Sequence, residues 1–295
     1  MSAPSVGDAR PEAAGDALGR YLLATSRPRF WLYLGGTALV GVVWAADSLA
    51  AVLDPVALAL VAYFLVPANL FLYGVNDRFD RATDADNPRK GEEGPEVEYR
   101  GDDLVDWAIL ASGLLALPFV AVLPPLGIVA LGAFLALSVA YSAPPARLKA
   151  RPVLDSASNG LYVLPAVVGY ALVAGEAPSS LVVLAGWFWT MGMHTFSAIP
   201  DIEPDREAGI ETTATLFGEM DAQTYVLACW VAAAIAATSH APALGLVFMA
   251  YPALGGVIAA RGIAVERAYR WFPVVNAVVG MILTLAGLWR VLGGL

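Results

Sequence analysis

The chain has 295 residues, of which 58% are hydrophobic, and its formal net charge is −9. Soluble domains are roughly 45–50% apolar, so this excess, with a mean hydropathy of +0.65, argues against a soluble protein and for a membrane protein. No basic patch suited to nucleic acid occurs, which argues against a nucleic-acid-binding protein.

The beginning of the chain differs in composition from the rest. It is polar and rich in Ala, Gly and Pro, and it lacks the apolar core of a signal peptide. We expect residues 1–25 to form a flexible N-terminal tail and residues 26–295 to form one transmembrane domain. The single cysteine, Cys229, lies within an apolar run and is expected to pack there, since it has no partner for an internal disulfide.

Long uncharged runs predict the fold class. A membrane-spanning helix needs about 20 apolar residues, and the alternation of polar and apolar residues that marks barrel strands is missing. The run 222–260 contains "TSHAPA", a turn signal, and is predicted to form two helices. The sequence therefore predicts an all-α polytopic membrane protein with nine transmembrane helices in a bundle. The uncharged runs are 30–46, 55–75, 107–123, 124–146, 156–175, 177–200, 222–260 and 271–289.

The basic residues predict the orientation of the bundle. Lys and Arg accumulate in cytoplasmic loops. With nine spans, 16 of the 17 Lys and Arg residues fall on one side, and Arg290 falls on the other. This asymmetry predicts a cytoplasmic N-terminus in the cell membrane and an extracytoplasmic C-terminus.

The first of two acidic clusters follows the second apolar run. Asp77, Asp80 and Asp84 are spaced i, i+3, i+7, so they share one face if the helix continues past the apolar segment. Asn76 begins a parallel row with Asp80 and Asp84. Like charges stacked in this way destabilise a helix unless something compensates for them.

The second cluster repeats this arrangement after the sixth apolar run. Asp201 and Asp205 are spaced i, i+4, and Gly209 follows four residues later. Both clusters should lie at the cytoplasmic surface, where Mg²⁺ held by carboxylates could bind a diphosphate. A hydrocarbon tail would then remain in the bilayer, which is the geometry that an isoprenyl diphosphate needs. The alternative is that both clusters are ordinary solvated loops.

Both clusters resemble the motifs of a known family. "NDRFDRATD" (76–84) is similar to the NDxxDxxxD pattern of the UbiA-type intramembrane prenyltransferases, and "DIEPDREAG" (201–209) is similar to their DxxxDxxxG pattern. The resemblance covers nearly the whole chain from Ser26 onward. It implies an enzyme that uses magnesium to transfer a prenyl group from its diphosphate to an acceptor, with the active site facing the cytoplasm.

The resemblance also implies roles for individual residues. "YSAPPARLKARP" (141–152) is similar to the basic loop of the family, and Arg27 matches the Arg-Pro before its first helix. The implied catalytic residues and magnesium ligands are Asp77, Asp80, Asp84, Asp201 and Asp205. The implied diphosphate-binding residues are Asn76, Arg147, Lys149 and Arg27.

Within the family, the segments around the motifs look most like lycopene elongases, which add C5 units to the ends of lycopene and in some cases hydrate the new end. The implied partners are therefore a prenyl diphosphate, lycopene or a similar hydrophobic acceptor, and the lipid bilayer. A quinone-precursor ring, a glycerolipid or a porphyrin stays open as the acceptor. An alternative of another class is a cation transporter whose carboxylates form an ion site.

Further residues near the predicted cytoplasmic ends could contribute to the chemistry. His194 lies seven residues before Asp201 and is either a proton acceptor or a satisfied intramembrane histidine. Asp155 and Asn159 share a face and have either a role in the site or a helix-capping role. Aromatic rings could stabilise a carbocation or could simply be interfacial residues. The candidate rings are Tyr73, Tyr141, Tyr162 and Phe196.

Overall fold

The computed structural model describes residues 11–84 and 97–293, with side chains described from 17 to 81 and from 97 onward. These residues fold into helices joined by short connections, and they contain no strand. The long helices are α1 (Pro11–Thr25), α2 (Leu32–Ala45), α3 (Pro55–Arg81), α4 (Asp103–Ala121), α5 (Pro125–Ser142), α6 (Leu154–Ala174), α7 (Ser180–Glu207), α8 (Thr213–His240), α9 (Pro242–Ala260) and α10 (Phe272–Val291).

Helices α2 to α10 correspond one by one to the nine predicted spans. Within the described part of the chain, eight of them have 18 residues or more and are apolar enough to cross a membrane, and α2 is a shorter apolar helix. The predicted turn in the longest run lies at Ala241, whose extended backbone separates α8 from α9. The all-α, multi-pass architecture is therefore confirmed.

The predicted flexible tail needs a correction, because Pro11–Thr25 is a helix. Its apolar residues Leu18, Tyr21 and Leu22 are spaced i, i+3, i+4 and form a stripe that packs against α3 and the chain before α4. Tyr21 is 7% exposed. The overall polar composition of residues 1–25 did not indicate this apolar stripe. Residues 1–10 lie outside the described residues.

Helix α3 is broken before it reaches the first acidic motif. Pro67 cannot donate a backbone hydrogen bond, and Val66 leaves the helical conformation. The Asn69 side-chain amide donates to the carbonyls of Phe64 (2.9 Å) and Leu65 (3.0 Å) across the break. This bonding matters because a bilayer offers no water to satisfy freed carbonyls.

The helices pack into two apolar clusters with a cavity between them. One cluster gathers side chains of α2 to α6, and the other gathers side chains of α7 to α10. The backbones of α2 and α6 approach each other closely, since a Cβ at Gly41 would lie 2.0 Å from the carbonyl oxygen of Ala166. Small residues of this kind let two helix backbones approach closely in membranes.

Candidate active site

One cavity of about 280 Å³ opens where both acidic motifs begin. Consecutive spans cross the bundle in opposite directions, so α3, α5 and α7 all end on the same side. The cavity is lined by Asn76 near the end of α3, Tyr141 in the last turn of α5 and Ser197 on α7, with Arg27 from the segment before α2. The structure therefore brings the first residue of one motif and the turn before the other to a single cavity.

Two carboxylates of the first motif are buried and paired with basic residues. Asp77 and Asp80 are 3% and 6% exposed. Arg27 Nη2 lies 2.9 Å from Asp77 Oδ1, and Lys149 Nζ donates to Asp80 Oδ2. Buried carboxylates require such partners, because desolvation of an unpaired charge is costly. Two of the predicted diphosphate-binding residues thus contact two of the predicted metal ligands.

The other predicted metal ligands lie at the ends of α3 and α7. Asp84 is the last residue of the helical segment Pro67–Asp84, which continues α3 past Arg81, and its side chain lies outside the described residues. Asp201 ends a 3₁₀ turn, and the half-buried Asp205 lies in the helical turn Ile202–Glu207 that follows. Among the described side chains, no three of Asp, Glu, His and Cys are grouped closely enough to hold a metal ion.

The remaining predicted diphosphate-binding residues are Asn76 and Arg147. Asn76 Nδ2 donates to Ser142 Oγ at 2.9 Å, which fixes the amide at the edge of the cavity. Arg147 is half-buried and has a positive φ of 38°, as Arg27 has a φ of 52°. Positive φ is uncommon outside glycine, and such backbone strain is concentrated at functional sites.

One arginine inside the first motif faces away from the cavity. Arg78 Nη1 pairs with Asp106 and also donates to Tyr99 Oη at 3.1 Å. Arg78 is not among the residues that line the cavity. Tyr99 in turn donates to Asp106. Burial raises the pKa of Tyr99, so its hydroxyl keeps the proton that this bond requires. These bonds fasten the start of α4 to the motif-bearing end of α3.

The cavity wall beside the charged pairs is aromatic. The Arg27 guanidinium lies 4.5 Å from the centroid of the Tyr73 ring, and Tyr73 Oη lies 3.3 Å from Tyr162 Oη. Phe30 stacks on Tyr33 at 5.4 Å between centroids. Tyr73, Tyr141 and Tyr162 of the candidate rings line the cavity. Such rings can stabilise a cation through their negative faces.

Phe196 does not belong to this wall. It is 2% exposed and packs against Trp230 and Phe272 in the second apolar cluster. It is absent from the cavity lining among the described residues. Its position near a helix end did not reveal which face of α7 it occupies.

One polar group in the cavity wall was not predicted from the sequence. Asn276 accepts from Tyr251 Oη at 2.9 Å and donates to Tyr33 Oη at 3.2 Å. Asn276 and Tyr33 line the cavity. An amide inside an otherwise apolar span was the available signal, because polar residues in membrane helices usually face the bundle interior.

Asp155 and His194 form a pair at the cavity wall, where His194 is a lining residue. Asp155 is completely buried, and its Oδ2 lies 3.5 Å from His194 Nε2. Thr213, the first residue of α8, donates its backbone N–H to Asp155 Oδ2 at 2.9 Å and its hydroxyl to Oδ1. Asp155 therefore bonds to the N-terminus of α8, and it does not cap its own helix.

Comparisons with known proteins identify the family of this chain. The model of the UbiA prenyltransferase family matches residues 34–277. Over 274 residues the chain is 55% identical to a lycopene elongase/hydratase of Haloarcula japonica, covering 93% of each protein. It is 54% identical over 274 residues to a lycopene elongase/hydratase of Haloferax volcanii, covering 93% of this chain and 90% of that protein.

The fold is also found among solved structures. The structure of a UbiA homolog from Archaeoglobus fulgidus bound to DMAPP and Mg2+ superposes with a TM-score of 0.70 at 20% identity, covering 90% of this chain and 98% of that chain. Similarity at this level of identity supports the fold. The family match and the two high-identity relatives support more, and they show that the chain belongs to the UbiA prenyltransferase family and is an intramembrane prenyltransferase.

Proposed function

We propose that this enzyme transfers a C5 dimethylallyl group from its diphosphate to an end of lycopene or a closely related carotenoid, and that water can add to the new end. The support is the identity of more than half of the residues with two relatives named lycopene elongase/hydratase, over 93% of the chain. The alternative of a cation transporter is overturned by the family assignment.

The observation in the structure that carries this proposal is the position of Arg27. Its guanidinium pairs with Asp77 on one side and lies over the Tyr73 ring on the other. A prenyl diphosphate that spans this boundary would have its phosphates among the charged residues and its allylic carbon against aromatic rings. The C–O bond would then break where the leaving charge and the carbocation are each stabilised.

The donor set of the two motifs suits a hard divalent cation. Asp77 and Asp80 offer buried carboxylate oxygens, which are ligands that Mg²⁺ accepts together with substrate phosphates. Their present partners, Arg27 and Lys149, could turn from carboxylate to phosphate when the ion and substrate bind. The bound ion would neutralise negative charge on the departing diphosphate. The residues that would hold it are Asp77, Asp80, Asp84, Asp201 and Asp205.

The protein itself performs the remaining tasks. Arg147, Lys149 and Asn76 would bind and orient the diphosphate, and the apolar bundle would shelter the allylic cation from water. We place the site at the cytoplasmic face of the cell membrane, where a soluble diphosphate can enter and a carotenoid can approach from the bilayer. The basic residues on that side of the bundle support this orientation.

The proposal is tested with purified enzyme in lipid vesicles, supplied with dimethylallyl diphosphate and Mg²⁺. One arm contains lycopene, and the other contains 4-hydroxybenzoate as an aromatic acceptor. Mass analysis should detect lycopene enlarged by one or two C5 units, with one added water per hydrated end. Product from the aromatic acceptor alone would overturn the proposed acceptor while leaving the family chemistry intact.

A further inference from the structure

We propose that His194 is the base that accepts the proton released at the end of the coupling reaction, and that Asp155, held by Thr213, positions it. This inference rests on the proposed function for the identity of the acceptor. It requires from that function only that an unsaturated acceptor captures the allylic cation. Neither residue belongs to the two carboxylate motifs.

The Asp155 carboxylate is fixed on both of its oxygens. It accepts the backbone N–H of Thr213 at 2.9 Å and the Thr213 hydroxyl, and this hydroxyl also receives the backbone N–H of Val153 at 2.8 Å. The carboxylate thus lies at the N-terminus of α8, where helix dipole and free N–H groups favour negative charge. The arrangement holds an ionised carboxylate at a defined place inside the bundle.

The fixed carboxylate selects one form of the His194 ring. Asp155 Oδ2 lies 3.5 Å from Nε2, and an ionised carboxylate can only accept hydrogen bonds. The ring therefore keeps its proton on Nε2 and presents a lone pair on Nδ1. Nδ1 has no hydrogen-bond partner among the described residues, the ring is 17% exposed, and His194 lines the cavity. An oriented histidine of this kind is the arrangement that general bases use.

No other described residue in the cavity wall can replace it at neutral pH. The lining contains phenols, amides, hydroxyls, an indole, a thioether and the Arg27 guanidinium. None of these side chains is a free base near pH 7. Asp77 and Asp80 neutralise basic residues and would be engaged by metal and diphosphate. His194 is the one imidazole among the lining side chains.

The proposed step balances in atoms and charge. The allylic C–O bond breaks with both electrons leaving on diphosphate, and a terminal C=C bond of the acceptor donates its electron pair to the allylic carbon. A C–C bond forms, and a positive charge remains on the neighbouring tertiary carbon. Either an adjacent C–H bond breaks to form a new C=C bond, or water adds to the cation. In both cases one proton passes to Nδ1 of His194, and the imidazolium later releases it to solvent.

The first test replaces the base while keeping the substrate site. His194→Gln should lower kcat for carotenoid elongation by about 10²-fold or more, as expected for loss of a general base. Affinity for a dimethylallyl thiolodiphosphate, which does not ionise readily, should stay within about twofold, because no phosphate contact is removed. His240→Gln is the matched control, since His240 is the other histidine of the chain and is exposed at the opposite end of α8. It should retain wild-type kcat.

The second test separates a chemical role from a structural one. His194→Ala leaves space for a small base, so added imidazole should restore part of its activity in a concentration-dependent way. Asp155→Asn should lower kcat without raising KM for dimethylallyl diphosphate, because an amide can donate to Nε2 and reverse the tautomer. Added imidazole should not restore the activity of the Asp155→Asn variant. Thiolodiphosphate binding shows that each variant is folded.

Two outcomes would overturn the inference. One is a wild-type kcat in the His194→Gln variant. The other is a folded His194→Ala variant whose activity is not restored by added imidazole. The comparison uses whichever acceptor the wild-type enzyme elongates, since a ring acceptor must also lose one proton. Failure of the wild-type enzyme with lycopene would therefore refute the proposed acceptor, and failure of these variants to differ would refute the role of His194.

Discussion

Charge pairing at single residues explains how an apolar bundle contains carboxylates near its surface. Arg27 lies 50 positions before Asp77, and Lys149 lies 69 positions after Asp80. Each pair compensates a desolvated charge that would otherwise destabilise the fold. The same pairing keeps the cationic side chains of Arg27 and Lys149 beside the carboxylates, where a bound diphosphate could contact them.

The second motif offers two nearby acidic residues in different surroundings. Asp205 is half-buried, whereas the Glu203 side chain is 77% exposed and pairs with Arg206 at 2.8 Å. We predict that Asp205→Asn lowers kcat/KM for prenyl transfer by about 10²-fold or more, the usual cost of removing one group that stabilises developing charge. Glu203→Gln should leave kcat/KM unchanged. Steady-state kinetics with labelled dimethylallyl diphosphate measures both, and equal effects would contradict the proposed metal role of the motif.

The basic loop allows a similar comparison. The Arg147 guanidinium makes no hydrogen bond or ion pair with the described residues, whereas Arg151 Nη2 donates to the Pro145 carbonyl at 2.8 Å. Arg147→Gln should therefore weaken diphosphate binding by about tenfold or more, the value of one hydrogen bond between charged groups. The melting temperature should change little. Arg151→Gln should bind diphosphate normally, and calorimetric titration with the thiolodiphosphate would detect a reversal of this order.

The sequence carried part of this residue-scale information. The spacing of Asp77 and Asp80 predicted their common helix face, and both are buried there as a pair. The contact between Thr213 and Asp155 had no such signal, because 58 positions separate them and a threonine at a helix start is ordinary. Contacts of this range depend on the order in which helices pack.

At the scale of elements, helix α2 depends on neighbours at both of its ends. Its first turns are a π-helical segment, Leu32–Gly36, which carries Tyr33 into the cavity. At its other end, Arg290 of α10 donates to the carbonyl oxygens of Trp44 and Ala46. The one basic residue on the predicted outer side thus satisfies helix-end carbonyls that lipid cannot satisfy.

The contact between α2 and α6 gives a stability prediction. A Cβ at Gly41 would lie 2.0 Å from the Ala166 carbonyl oxygen, whereas a Cβ at Gly132 in α5 would meet no atom within 4 Å. Gly41→Ala should lower the free energy of unfolding by about 1–3 kcal/mol through overpacking. Gly132→Ala should be neutral or stabilising by up to about 1 kcal/mol, since alanine favours helix. Thermal melts in detergent compare the two, and equal melting temperatures would contradict this packing.

Uncharged runs predicted the membrane helices well because lipid requires long apolar segments wherever a helix crosses. Their internal breaks were harder to predict. Pro67 lies at the break in α3, but the 3₁₀ segment Asn159–Tyr162 inside α6 has no proline of its own. Helix α1 escaped prediction because its apolar stripe is short and lies within a polar segment.

At the scale of the whole molecule, the nine apolar helices of the described residues explain the distribution of basic residues. An odd number of spans puts the two ends of the bundle on opposite sides, and 16 of 17 Lys and Arg residues then share one side. The cavity and the beginning of both motifs lie on that same side. The proposed orientation thus gives a diphosphate access to the site from the cytoplasm.

Site-directed labelling can test this orientation because the chain has one native cysteine. Cys229 is 6% exposed, and a Cys229→Ala background leaves no other thiol. Glu176→Cys lies between α6 and α7, and Glu266→Cys lies between α9 and α10; both native side chains are exposed. A membrane-impermeant maleimide added to intact cells should label Glu176→Cys and should label Glu266→Cys only after permeabilisation. The reverse pattern would place the proposed site outside the cytoplasm, where cytosolic diphosphates cannot reach it.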